Sequence, residues 1–187
     1  MSRAEDRSRG RRVRLPVRRR VLVVCGGRTE MAYLVGLWRA RGDSSVSLTV
    51  KVRAIDPTGL VDYAGRMVRH RGEQFDEIYC VVDVDEFDIA TAVRTAANRG
   101  IELAVSNPCF ELWLLLHHED CTAYVDGYAA VVRRLRKHLP AYAKADLDFA
   151  DFADSVAAAI ERAKALEAGR NPSTTIWLLV ERIVERR

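Results

Sequence analysis

Two short, uninterrupted apolar runs, Val21-Leu-Val-Val-Cys25 and Ile78-Tyr-Cys-Val-Val82, set the tightest limit on the architecture of this chain. A strand that is apolar on both faces belongs in a sheet covered on both sides, because an open face would expose half of its side chains to water. The stretches between and after these runs have the helical spacing that such a cover needs. Gly26-Gly27 ends the first run, Thr29 is placed to cap a helix, and Met31, Leu34, Leu37 and Trp38 recur at helical intervals up to Gly42. Val46, Leu48, Val50 and Val52 alternate with polar residues, as on a half-buried, edge-type strand. Pro57-Thr58-Gly59 breaks that strand and residues 60–70 read as helix, as do residues 87–98 after the second run. Gly100 stops that helix, and residues 101–105 form a further short strand. The succession β-α-β-α-β-α-β with tight connections predicts an α/β fold, a parallel sheet of about four strands sandwiched by helices.

After Val105 the pattern turns all-helical. Asn107-Pro108 opens a helix that is apolar nearly all round, through Phe110, Leu112, Trp113, Leu115 and Leu116. A basic amphipathic helix over 127–138, an acidic stretch over 146–154 carrying Phe149 and Phe152, an alanine-rich helix over 155–168 and a last helix begun by Asn171-Pro-Ser-Thr174 complete an all-helical C-terminal extension. The expected organisation is a basic arm over 1–19 and a single domain over 20–187, with its α/β core at 20–105 and its extension at 106–187.

The formal charge of +4 is unevenly spread. Residues 1–20 hold nine arginines against Glu5 and Asp6, a net +7, and the remainder is slightly acidic. Such an arm contacts nucleic-acid phosphates or serves as a solvated end. No run is long and apolar enough for a membrane span, and nine arginines occupy the place of a secretory apolar stretch, so a cytoplasmic protein is expected. Cys25, Cys80, Cys109 and Cys121 form no C-x-x-C pair and have no histidine spacing suited to zinc, which reads as four reduced, mostly buried thiols. The absence of a Walker lysine pattern and of G-x-G-x-x-G argues against an ATPase or a dinucleotide enzyme.

Ligands of open parallel sheets bind beyond the carboxyl ends of the strands, which singles out Cys25-Gly-Gly-Arg-Thr-Glu30 after the first run and Asp83-Val84-Asp85-Glu86 after the second. In an extended D-x-D both carboxylates lie on one side, and a divalent cation relieves their repulsion. The competing reading is a helix cap with acids in the first turn. His117-His118 reads mainly as a helix C-terminus, Trp113 and Trp177 as core, and Arg133, Arg134, Arg136 and Lys137 as a basic stripe that either guides a nucleic-acid backbone or is solvated.

Four segments together, Val-Leu-Val-Val-Cys25-Gly-Gly-Arg-Thr-Glu30, Val-Val-Asp83-Val-Asp85-Glu-Phe87, Ser106-Asn-Pro-Cys-Phe-Glu-Leu-Trp-Leu-Leu-Leu-His117 and Asn171-Pro-Ser-Thr-Thr175, carry a resemblance. The chain resembles the RloB family of bacterial phage-resistance proteins, relatives of the Toprim nuclease domains of OLD-type systems, over about residues 20–185. The resemblance implies a Toprim-like fold, Mg2+- or Mn2+-dependent cleavage of a nucleic-acid phosphodiester (DNA or RNA), and a defence setting with a partner ATPase of the AAA or ABC type. Carried over by position, Asp83, Asp85 and Glu30 would hold metal and act in catalysis. Glu111, beside Asn107 in the S-N-P-x-F-E segment, would complete the metal site or anchor its helix. Lys144, after Tyr142, would neutralise phosphate charge. The chain departs from the family at Gly26, where a glutamate is normal. That departure opens the alternative of a degenerate module that binds nucleic acid or a partner protein without cutting it.

Overall fold

The computed structural model describes residues 18–42, 45–71, 74–84, 89–144 and 146–185, with the side chains of 69–71 left aside. The basic arm over 1–17 and Asp85 therefore lie outside the described residues. The chain forms an α/β fold around one five-stranded sheet, built from β1 (Arg19–Cys25), β2 (Val46–Val52), β3 (Glu77–Asp83), β4 (Glu102–Asn107) and β5 (Ser173–Thr174) in the spatial order β2-β1-β3-β4-β5. The first four strands are parallel and β5 pairs antiparallel with β4.

Both faces of the sheet are covered, as the apolar runs require. Val21, Val23, Cys25, Tyr79, Val81 and Ala104 point to the side packed by α1 (Arg28–Arg41) and by the helices that follow β4. Leu22, Val24, Cys80 and Val82 point to the other, under α2 (Pro57–Arg71) and α3 (Ala90–Arg99). The helical second half is built from α4 (Phe110–Leu116), α5 (Gly127–His138), α6 (Val156–Lys164) and α7 (Ile176–Val184), with two short 3-10 turns before α6. Every residue of α4 is buried, in keeping with its all-round apolar sequence. All four cysteines are buried and none forms a disulfide. Among the described residues no helix is long and apolar enough to cross a membrane.

Three local expectations change. β4 runs on to Asn107, the Asn107-Pro108 bond is cis, and the helix starts only at Phe110, so Pro108 joins strand to helix rather than opening the helix. Ser173-Thr174, read as the start of a helix, forms β5, a fifth strand. Two residues are too few to show strand periodicity, and their pairing is set by contact with Ser106 and Asn107. Thr174 still serves the helix that follows, its Oγ1 accepting the Ile176 amide at 3.2 Å. At α1 the residue before the helix is an extended Gly27 with no side-chain cap, so Thr29 lies inside the first turn.

The strand order places the reversal of direction between β1 and β3. From β1 the chain crosses to β2 on one side, then returns to build β3 and β4 on the other. Ligand crevices form at such a point, outside the carboxyl ends of the two strands. Here those ends are Cys25-Gly26 and Asp83.

Candidate functional site

Three carboxylates and one ammonium come together at this crevice, each from a different element. Glu30 lies in the first turn of α1, Asp83 is the last residue of β3, Glu111 lies in the first turn of α4, and Lys144 lies in the turn after α5. Glu30 and Glu111 are buried, at 7% and 2% exposure. Two of the carboxylate oxygens, Glu30 Oε2 and Asp83 Oδ1, are buried without a hydrogen-bond partner. A buried, unpartnered acceptor is costly and uncommon in native folds.

The electrostatics follow from this crowding. Burial, with the charges of Glu30 and Glu111 added, pushes the Asp83 pKa up to about 8, against the pull of Lys144 and the Phe110 amide. Burial raises that of Glu30 as well, and Glu111 adds to the effect, while the amides of Glu30 and Gly27 and the charge of Lys144 oppose it. At Lys144 partial burial disfavours the charged form, but Glu111, Tyr128, Glu30 and Asp83 outweigh it and raise the pKa. The ammonium is thus held charged by the carboxylates it faces.

Tyr142 ties the cluster to the helical half. Its hydroxyl donates to Glu111 Oε1 at 3.1 Å, and it is itself buried. Burial and the Glu111 charge raise its pKa, while Thr29 donates to it. A chain of contacts therefore runs from α1 through Tyr142 to α4, two residues from Lys144. Lys144 Nζ lies 4.7 Å from the centre of the Tyr128 ring, a cation–π distance. Sequence reasoning gave no role to Tyr142 or Tyr128. A lone tyrosine carries no spacing signal, and only the fold brings each beside the acids.

The glycine turn is explained by Glu30. A Cβ built on Gly27 would stand 2.7 Å from Glu30 Oε2, so the carboxylate fills the space a side chain there would need. At Gly26 the same construction meets only Glu30 Oε1 at 3.9 Å, ordinary contact, and its φ is not positive. Glu30 thus curls back over the turn, so that its carboxylate stands beside the end of β1.

Of the residues singled out in the sequence, Glu30, Asp83, Glu111 and Lys144 share this site. Asp85, the second acid of the D-x-D, lies outside the described residues. Among the described residues no group of three or more His, Cys, Asp or Glu side chains is placed to hold a metal ion. Asn107 ends β4 opposite Ser173. His117 is not bound to helix carbonyls as its position suggested. It is buried, with Nε2 3.0 Å from the Tyr33 hydroxyl and Nδ1 3.0 Å from Ser155 Oγ.

The sequence model of one family, described as RloB-like protein, matches residues 21–183, which take in both the sheet and the helical half. The chain belongs to the RloB-like family. No curated protein and no solved structure matches it. The matched span contains every described residue of the acidic crevice, so the RloB-like domain and the crevice are one unit.

Proposed function

We propose that this RloB-like chain is a divalent-metal-dependent nuclease that hydrolyses a nucleic-acid phosphodiester in bacterial anti-phage defence, on a Toprim-like core and alongside a partner ATPase. The observation that carries the chemical part is the pair of orphaned oxygens, Glu30 Oε2 and Asp83 Oδ1, at the strand ends where ligands of such sheets bind. With three carboxylates facing one ammonium, full ionisation leaves an excess of negative charge among the described residues, which favours a cation. The donor set is all oxygen, which suits Mg2+ or Mn2+. The defence setting and the ATPase rest on the family resemblance alone.

In this reading Glu30 and Asp83 would hold the cation, Asp85 would join them by its position in the D-x-D, and Glu111 would complete the set or anchor its helix. A bound divalent cation polarises a phosphate and lowers the pKa of a water beside it. Lys144 offsets the charge that develops on the phosphate, and is poised to do so because the acids keep it protonated. Tyr142 fixes the Glu111 carboxylate through its hydroxyl.

One observation favours the second reading, a module that binds without cutting. Gly26 leaves the turn after β1 with no acid of its own. A single set of measurements separates the two. Mg2+ or Mn2+ that binds only the folded chain raises its melting temperature by several degrees at about 100 times Kd, and Asp83→Asn abolishes the rise. A nuclease then cleaves single- or double-stranded DNA or RNA in that cation. Cation binding without cleavage by the wild type, combined with metal-dependent cleavage by Gly26→Glu, selects the second reading. An unshifted melting curve in both cations overturns the metal site.

A further inference from the structure

We propose that the outward face of α5, from Tyr128 to Lys137, is the surface along which a nucleic-acid backbone is led into the acidic crevice. The inference rests on the nuclease reading and adds to it the path of the substrate. α5 buries Val131, Val132 and Leu135 and leaves Arg133, Arg136 and Lys137 exposed. The structure divides the basic stripe seen in the sequence. Arg134 is committed elsewhere, its guanidinium donating to Glu119 Oε1 at 2.6 Å, to the Asp120 carbonyl at 2.9 Å and to Cys121 Sγ at 3.0 Å. Among the described residues Arg133, Arg136 and Lys137 form no ion pair with a carboxylate, whereas Arg19, Arg99, Arg134, Arg162, Arg170 and Arg182 each do.

Arg133 and Arg136 border a groove of about 360 Å³ lined also by Tyr128, Ala129 and Val132, and Lys137 follows one helical turn beyond Arg133. Tyr128 and Arg136 are eight positions apart on the helix, a length of about 12 Å. Both ends of this strip connect to the acids. At the first, Tyr128 lies under Lys144, whose charge acts on Glu111, Glu30 and Asp83. At the second, Arg136 Nε donates to the Tyr142 carbonyl at 3.3 Å, and the Tyr142 hydroxyl meets Glu111.

A cluster of buried carboxylates repels a phosphate at a distance, so a polyanion needs a cationic approach beside it. A strip of cations with an aromatic ring at one end has the chemistry of sites that track a nucleic-acid backbone. A small acid or a single phosphate group would use one end of it; a chain of phosphates uses its length.

The test measures binding of a fluorescent 20-nucleotide DNA strand, and of the RNA of the same sequence, to the full chain as a function of salt without divalent cation. Arg133→Glu combined with Lys137→Glu is expected to weaken binding about tenfold or more and to make the log–log salt slope shallower by about 0.7 for each phosphate that is no longer neutralised. The Mg2+ or Mn2+ shift in melting temperature should stay at its wild-type value, since neither residue touches the acids. The milder pair Arg133→Gln and Lys137→Gln should move affinity and slope in the same direction by less, which guards against a folding defect. Arg136 is left in place because it holds Tyr142. Wild-type affinity and slope in both double variants overturn the path while leaving the nuclease reading standing. Failure of the wild-type chain to bind either strand at low salt overturns both. Displacement of the strand by an equal concentration of polyglutamate assigns the strip to acidic polypeptides and overturns the proposal.

Discussion

The short helix α4 carries a buried polar group near each end, and the two are treated in opposite ways. Near its C-terminus His117 is matched to its surroundings, with Tyr33 and Ser155 on its two nitrogens and the rings of Tyr33, Trp113 and Phe152 packed edge-on around it. Near its N-terminus Glu111 joins Glu30 and Asp83 in a cluster that leaves two oxygens without partners. Burial holds the His117 pKa down to about 3, with the charge of His118 adding to it, so the ring stays neutral and serves the fold. Burial raises Asp83 to about 8, and nothing in the described chain compensates it in full. A satisfied buried group stabilises; an unsatisfied one costs stability.

The largest effect is expected at the satisfied end. His117→Ala removes a ring from a packed aromatic cluster and strands the Tyr33 hydroxyl, at a cost of about 3–5 kcal/mol in urea denaturation at pH 7. The pH profile carries the same information. The unfolded chain protonates this histidine near 6.5 and the folded chain only near 3, so its contribution is complete above 6.5 and is lost as the pH falls toward 3. This contribution has a slope of up to about 1.4 kcal/mol per pH unit, which should appear in the difference between the wild-type and variant stabilities. If the variant keeps the wild-type acid slope, His117 is not the group responsible.

Asp83 should behave in the opposite sense. The unfolded chain releases its proton near 3.8 and the folded chain near 8, so this group costs stability as the pH rises through that window. Between about 4 and 6.5 the two groups oppose each other; above 6.5 His117 no longer offsets Asp83. Asp83→Asn is therefore expected to make the cation-free protein more stable at pH 8 by about 2 kcal/mol or more, while removing its response to Mg2+ and Mn2+. Equal stability of the two proteins at pH 8 would show that the carboxylate is solvated and not strained.

Where the sequence was legible, a local pattern carried the information. The both-face strands 21–25 and 78–82 are apolar at every position, and their place in the sheet follows from that. Asp83 and Glu30 were legible because they stand within a few residues of strand ends. The partners that make them a site are not local. Tyr142 reaches Glu111 across 31 positions, and Ser173-Thr174 finds its strand partner across 66 to 68. No periodicity records such contacts. The glycine pair was read as a turn, and the reason for its second member, a carboxylate folded back from the helix, is visible only in three dimensions.

That carboxylate gives the third prediction, of intermediate size. Gly27 has φ −136 and ψ 175, extended backbone that any residue adopts, so the only obstacle to a side chain is Glu30 Oε2 at 2.7 Å. Gly27→Ala should displace the carboxylate and weaken Mg2+ or Mn2+ binding by about 10-fold, roughly 1.4 kcal/mol, while Gly26→Ala leaves it within about twofold. In the Glu30→Gln background, where the cation is already poorly held, Gly27→Ala should add little. Additive losses measured by calorimetric titration would separate the glycine from the carboxylate.

The smallest effect tests whether the two ends of α4 differ in degree or in kind. Tyr142→Phe keeps the ring and its packing and deletes one donor, the hydroxyl on Glu111 Oε1. If the cluster were structural, like His117, the loss would appear chiefly as about 1 kcal/mol of stability, the ordinary net value of such a bond. In an acid cluster arranged for a cation the outcome divides. Without the donor Glu111 becomes a poorer neighbour in the cation-free state, so stability falls by no more than about 1 kcal/mol. With the cation present, a less firmly placed carboxylate binds a few-fold more weakly, and the rise in melting temperature shrinks with it. Melting curves of the two proteins across a Mn2+ series give both quantities from one experiment. A constant offset at every Mn2+ concentration marks Tyr142 as structural, and an offset that widens as Mn2+ is added ties it to the site.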